Sequence, residues 1–288
     1  MHRFQLHNND IRDAALPVLS AGQIGLLSGW GVFSTLRVYD GVMFQWTRHW
    51  QRMKRDAERM HVPFPDDSGR LESALYKLID ANRAFNSTLR VVVVRNRGGL
   101  WEGPGITRDY DVIAFTANVV SWPDKVKLGV APHARLAASE FAGTKYLSWA
   151  ENLTRYERAH QDGFDEVILL NERSEVAECT SANVFIVEGS QVWTPPLSAG
   201  GLSGITRNVL LEDIRVPDIS IGEKMLDLKA LSDASEVFIT STTRELLPVA
   251  AIEGLHIRGG NSVCAKLRQA FSEFAVSYTA ARRKPVYN

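Results

Sequence analysis

The amino-acid sequence predicts a mixed α/β or α+β chain in two domains, and three observations carry that expectation. The chain has 288 residues, 45% hydrophobic and 23% charged, enough to bury a full core and more than one domain usually holds. Eight runs rich in Val, Ile, Phe and Thr read as strands. Stretches with apolar residues at helical spacing lie between them.

In chain order, the first 22 residues hold no continuous apolar stretch behind their basic residues. Nowhere does an uncharged apolar run approach the roughly 20 residues that span a bilayer. The expectation is a soluble, unexported, cytoplasmic protein. A strand at 31–39 is followed by a helix at 47–60 with Trp50, Met53, Ala57 and Met60 on one face. A second helix at 69–84 repeats Leu71, Leu75, Leu78 and Ile79 in the same way. Strands at 89–95 and 111–120 follow. Residues 120–125 (VSWPDK) contain the proline that separates two strand runs, which marks a linker. The division is therefore an N-terminal domain 1–119, a linker 120–125 and a C-terminal domain 126–288. The second domain opens with a strand at 126–131. A helix over 145–161 then places Tyr146, Ala150, Leu153 and Tyr156 on one side, until Asp162-Gly163 stops it. Strands at 166–170, 183–187, 191–194 and 236–240 and a helix at 262–283 complete the chain.

Lys plus Arg and Asp plus Glu both number 33, so no net field favours nucleic acid or an anionic membrane. A small molecule is the expected partner. Cys179 and Cys264 show neither CxxC nor Cys/His spacing, so neither a disulfide framework nor a metal site is expected.

Four places offer chemistry. Lys145 opens the expected helix behind Thr144, where the helix dipole opposes a cation; that fits a solvated side chain or an amine set aside for covalent chemistry. Glu178 stands ahead of the strand at 183–187, as a turn residue or a functional carboxylate. Gly204 precedes a helix starting at Ile205 or Thr206, whose free N–H groups and Thr206 hydroxyl suit a phosphate or simply begin a helix. The cluster Thr240-Ser241-Thr242-Thr243 is either a turn or the rest of a phosphate cup.

The order of motifs carries a resemblance that spacing alone does not. Gly31-Val-Phe-Ser-Thr-Leu-Arg37, His49-Trp-Gln-Arg52-Met53, Lys145, Gly163-Phe-Asp-Glu-Val-Ile-Leu-Leu170, Glu178 to Phe185, Gly204-Ile-Thr-Arg207 and Thr240 to Pro248 occur in sequence. Together they resemble the class IV aminotransferases, from about residue 22 to about residue 249. That family includes branched-chain and D-amino acid aminotransferases, R-selective amine transaminases and aminodeoxychorismate lyase.

The resemblance implies fold type IV: a smaller N-terminal α/β domain and a larger C-terminal pseudo-barrel domain, with pyridoxal 5′-phosphate lying between them. It also implies a homodimer whose pockets the partner chain completes. Lys145 becomes the Schiff-base lysine and Glu178 the partner of the pyridine nitrogen. Arg52, Ile205, Thr206 and Thr242 become the phosphate contacts, although Arg52 on a basic helix also reads as a solvated side chain. Arg95 and Arg97, at a strand end and in the following loop, suit a substrate carboxylate or a loop surface equally; Thr243 offers a backbone N–H to the same group. Phe33, Trp30 and Trp101 read as pocket walls, with core packing the alternative for Phe33. Ala150 stands where some branched-chain enzymes have a tyrosine five residues after the lysine, which leaves Asn152 to meet the cofactor phenolate oxygen. The expected activity is transamination from an amino acid, branched-chain-like first, to a 2-oxo acid. The alternatives are an aminodeoxychorismate lyase, a D-amino acid or R-selective amine transaminase, and a cofactor-carrying interaction protein without turnover.

Overall fold

A computed structural model describes residues 1–283. The chain folds as two compact units. The first comprises Met1–Val120, Thr144–Trp149 and the described residues from Ala275 on; the second comprises Ser121–Gly143 and Ala150–Phe274.

In the first unit the elements are β1 (Phe4–His7), β2 (Asp10–Asp13), α1 (Ile24–Ser28), β3 (Gly31–Tyr39), β4 (Val42–Met43), α2 (Trp46–Arg59), α3 (Ser68–Asn82), β5 (Ser87–Arg95) and β6 (Tyr110–Ala117). The strands form one antiparallel sheet in the order β2-β1-β6-β5-β3-β4. Strand side chains alternate between faces. Val32, Leu36 and Val38 of β3 and Leu89, Val91 and Val93 of β5 therefore point one way, into a core closed by Trp50, Met53 and Ala57 of α2 and Leu71, Leu75, Leu78 and Ile79 of α3. Both helices thus bury the faces that their periodicity predicts. The opposite face of the same strands carries Phe33 and Arg90. Val92 stands opposite Phe33, and Arg90 opposite Thr35.

The second unit holds β7 (Val126–Arg135), α4 (Ala150–Gln161), β8 (Glu166–Asn171), β9 (Val176–Cys179), β10 (Asn183–Glu188), β11 (Gln191–Thr194), α5 (Ile205–Glu212), β12 (Ser220–Glu223), α6 (Leu228–Asp233), β13 (Glu236–Ser241) and β14 (Glu245–Ile252). These strands make a mixed eight-stranded sheet ordered β12-β11-β10-β13-β14-β7-β8-β9. The pairs β11/β12, β14/β7 and β7/β8 are parallel. The last helix, α7, runs Ser262–Ala280. Its start is capped by Glu236, whose carboxylate accepts from the N–H groups of Val263 (2.8 Å) and Cys264 (2.9 Å). A carboxylate there satisfies orphan donors and complements the dipole.

One expected element is corrected. The third helix begins at Ala150, not at Lys145, because residues 144–149 pair with β3 instead, through a bridge from Tyr146 to Val32. Its buried residues are Asn152 and Ala159, while Leu153 is exposed. The small Ala159 side chain lets the helix lie close against Val167 and Leu169 of β8. Among the described residues, no helix is long and apolar enough to cross a membrane. No group of three or more His, Cys, Asp or Glu side chains there is placed to hold a metal ion.

Candidate active site

In the first unit the chemistry gathers at the opening of β3. Leu147 N–H donates to Gly31 O (2.9 Å) and Phe33 N–H to Lys145 O (3.2 Å). Lys145 therefore sits on a sheet edge, and the helix-start argument for it does not apply. The approach needs glycine at position 31: a Cβ there would come within 2.6 Å of Leu147 Cδ1 and 2.4 Å of Val93 O. Lys145 Nζ lies over the Phe33 ring, 4.5 Å from its centroid, and 5.6 Å from that of Trp149. Trp149 meets Phe33 edge-on. Cation–aromatic contact of this kind gains strength as water is excluded.

One face of α2 supplies the neighbours. His49, Arg52 and Asp56 follow at spacings of three and four, which brings them onto one side of a helix, and all three are buried. Arg52 Nη2 donates to Ser34 Oγ (2.8 Å), which in turn lies 2.7 Å from His49 Nδ1. Asp56 Oδ2 accepts the main-chain N–H of Lys145 (3.1 Å). Burial, then the charges of Arg52 and Lys145, hold the His49 imidazole well below its ordinary value, so it is neutral. Burial also draws Arg52 down to about 10, against the pull of the Asp56 carboxylate.

The structure brings forward a residue that the motifs do not single out. Arg90, on β5, stands over the same Phe33 ring as Lys145, 4.4 Å from its centroid, and burial lowers its guanidinium from the usual value. The alternation of Leu89, Val91 and Val93 is the available signal: an arginine inside that pattern must occupy the face opposite the core.

The two expected carboxylate anchors lie elsewhere. Arg95 donates from Nε to Arg97 O (2.8 Å) and from Nη1 to His61 O (2.7 Å), and stacks on Trp30. Arg97 pairs with Glu102 (3.2 Å) and Asp109 (3.5 Å). Both line an open groove with Pro63 and Gly98. Trp30 donates to Met60 O, Trp101 is 75% exposed, and Arg37 donates to Ser87 O.

In the second unit, Glu178 lies on β9 with both oxygens engaged. Oε1 accepts from Arg135 Nε (3.1 Å) and Oε2 from Leu202 N–H (3.0 Å). Asn152, the expected partner of a phenolate oxygen, instead accepts from Arg135 Nη2 (2.9 Å) and donates to Thr180 O (3.0 Å). That leaves Arg135 as the cation that joins the two. The turn holding Thr242 and Thr243 is fixed by Trp122, which donates to Thr243 O (3.0 Å), and by Arg244, which stacks on Trp122 and pairs with the buried Glu166 (3.1 Å).

Ile205 and Thr206 form the buried first turn of α5. Its N-cap is Gly204, with no side-chain cap, and a Cβ there would fall 2.0 Å from Asn183 Oδ1. Only glycine fits, and uncapped first-turn N–H groups are the donors an anion takes up. Thr240, in register with Asn183, keeps its hydroxyl buried without a hydrogen-bond partner. An uncapped helix start and an orphan hydroxyl as donors, with a carboxylate held by an arginine as acceptor, fit a phosphorylated, nitrogen-containing ring.

Comparison with known proteins bears on all of this. Residues 31–252 match the family model of the class IV aminotransferases. The branched-chain-amino-acid aminotransferase of Salmonella typhimurium is 28% identical over 277 residues, covering 90% of this chain and 87% of its own. The D-alanine aminotransferase of Bacillus licheniformis is 28% identical over 240 residues, with 82% and 83% covered. Among solved structures, a hypothetical aminotransferase from Mycobacterium tuberculosis, in its alpha-ketoglutarate and PMP bound form, aligns with a TM-score of 0.83 at 22% identity, covering 95% of this chain and 99% of its own. The fold is therefore the type IV arrangement expected from the motifs.

Proposed function

The chain belongs to the class IV aminotransferase family, and from that premise we propose that it carries pyridoxal 5′-phosphate on Lys145 and transfers amino groups from branched-chain-like amino acids to 2-oxo acids. Aminotransfer and the cofactor come with the family; the residue roles and the substrate class are the proposal. The observation that carries it is the placement of Lys145. Its Nζ lies against the Phe33 and Trp149 rings, and its charge, after burial and Arg52, helps hold His49 neutral.

Pyridoxal phosphate, once bound, supplies a ring that accepts the electron pair left on the substrate carbon. Lys145 Nζ would serve as the base that moves the proton at the substrate Cα. Phe33 and Trp149 keep water from that nitrogen. Arg52 would supply a charge to the phosphate, and the N–H groups of Ile205 and Thr206 and the turn at Thr242 would supply neutral donors. Glu178, oriented by Arg135, keeps the ring nitrogen protonated. For the second carboxylate of a dicarboxylate acceptor, Arg90 is the anchor preferred to Arg95 and Arg97, whose guanidinium groups are engaged with Arg97 O, His61 O, Glu102 and Asp109. The alpha-ketoglutarate bound by the Mycobacterium tuberculosis protein agrees with an acceptor that bears two carboxylates.

We further infer a homodimer. Leu26 and Leu27 on α1 and Leu100 and Trp101 in the loop beyond β5 are exposed. Gly103 N–H donates to Gly22 O and so ties that loop to the segment leading into α1; exposed apolar clusters mark association surfaces. Light scattering should give a dimer mass, and a monomer at assay concentration would refute the inference.

The function is tested by adding pyridoxal phosphate, reducing with borohydride and locating the label. It is expected on Lys145, and Lys145→Ala should lose both the visible band and turnover, by about a thousandfold or more. A label elsewhere sinks the lysine role. With one amino acid and no acceptor, one equivalent of 2-oxo acid per cofactor supports aminotransfer. Continuous pyruvate release from aminodeoxychorismate would establish the lyase instead.

A further inference from the structure

Asp56 is a buried carboxylate that the proposed reaction leaves without a task. It is 1% exposed, and burying a charge is costly unless it is paired and hydrogen-bonded. Oδ1 accepts from Arg55 Nη2 (3.2 Å). Oδ2 accepts the main-chain N–H of Lys145, 89 residues further along the chain, at 3.1 Å. Its charge also favours the ionised Arg52 guanidinium. The pairing of residues 144–149 with β3 explains why this bond exists. Leu147 N–H and Lys145 O are taken by Gly31 and Phe33, and at Lys145 the N–H turns to a side chain instead of the strand. The lysine Cα is therefore held on one side by β3 and on the other by α2.

We propose that Asp56 is the positioning residue of Lys145: its bond to the main-chain N–H fixes the lysine backbone and so aims Nζ across Phe33 and Trp149. The inference rests on the reading that Lys145 bears the cofactor. A displacement of about 1 Å in a reacting group can cost on the order of a hundredfold in rate. A hydrogen bond from a buried amide to a fixed oxygen acceptor is a means of preventing it.

The experiment compares Asp56→Asn, which keeps an oxygen acceptor and loses the charge, with Asp56→Leu, which loses both at similar volume. The probe is pyridoxal phosphate, and the readout is the second-order rate of its attachment at Lys145, measured beside the melting temperature and far-ultraviolet dichroism. Asp56→Asn should stay within about threefold of the wild-type rate, and Asp56→Leu should be about 10- to 100-fold slower. A folded Asp56→Leu protein with the wild-type rate overturns the proposal. Equal losses in the two variants also overturn it, because the charge beside Arg52 would then be the cause. Should Asp56→Leu fail to fold, hydrogen exchange on the wild-type protein without cofactor decides: the Lys145 amide should be strongly protected, and exchange at the unprotected rate overturns the bond. A wild-type protein that takes up no pyridoxal phosphate at Lys145 defeats the proposed function, while the exchange measurement still judges Asp56.

Discussion

Glu178 and Glu166, in the second unit, each meet an arginine, Arg135 and Arg244, whereas in the first unit Lys145, Arg52 and Arg90 gather around the opening of β3 with Asp56 as the buried carboxylate beside them. In the second unit each carboxylate is matched by a guanidinium, and buried or partly buried charges need such partners. The one in the first unit carries an excess of positive charge beside aromatic rings, where cations sharing a low-dielectric setting repel one another. Such an excess suits a site that receives anions. The contrast is between carboxylate–guanidinium pairs in the second unit and a cationic cluster in the first.

Glu178→Gln is the strongest way to break that contrast. It leaves Arg135 facing a neutral amide and takes the counter-charge from the ring nitrogen, while the phosphate contacts stay intact. Turnover should fall about 100- to 1000-fold with the cofactor still bound, checked by kcat together with the absorbance of the bound cofactor. Wild-type kcat would give the pyridinium role to another group. Arg52→Ala works on the other half. Cofactor retention should weaken by about 1.5–3 kcal/mol if one charge-assisted contact is lost, as read by equilibrium titration. Unchanged affinity would leave Arg52 a structural partner of Ser34.

How much of this is legible in the sequence depends on whether neighbours in space are neighbours in pattern. The faces of α2 and α3 are legible because period 3.6 is local, and Gly204, Thr206 and Glu178 stand in contiguous motifs. Lys145 is found by motif but in the wrong setting, since pairing of residues 144–149 with β3 is a long-range event and the local spacing reads equally well as a helix. Arg95 and Arg97 attract attention by their place at a strand end and in the loop after it; the hydrogen bonds of Arg95 to Arg97 O and His61 O and the pairing of Arg97 with Glu102 depend on the folded chain. Arg90 escapes notice although the alternation of β5 places it, because periodicity gives the face of a residue and not what lies above it. Asp56 is invisible for the same reason.

Arg90→Met tests the proposed preference for Arg90 over Arg95 and Arg97, since it keeps length and loses the fork. KM for a dicarboxylate acceptor such as 2-oxoglutarate should rise about tenfold or more, with kcat/KM for an apolar donor changed by about threefold at most. If the dicarboxylate KM is unmoved and Arg97→Met raises it instead, the anchor belongs to the loop and the preference for Arg90 is wrong.

The smallest expected effect concerns His49, which joins Ser34 to the cationic half and is held neutral by burial and by the charges of Arg52 and Lys145. In the unfolded chain its pKa returns to the ordinary 6.5. Above that value neither state binds the proton, and the contribution of His49 to stability is fully present. As pH falls below it, the unfolded chain takes up a proton that the folded protein refuses. Stability then declines, by at most about 1.4 kcal/mol per pH unit, until the lower folded value is reached. Carboxylates held below their usual range, such as Asp111, lose stability in the same direction but at more acid pH, so a variant is needed to separate the two. His49→Gln preserves a polar partner for Ser34 without a titrating proton. Urea unfolding at about pH 7.5 and about pH 5.5 should therefore show the wild type losing about 1 kcal/mol more than His49→Gln over that interval. Parallel losses would mean that His49 accepts a proton in the folded protein beside Arg52 and Lys145, and the cationic excess assigned to that half would be smaller than the geometry implies.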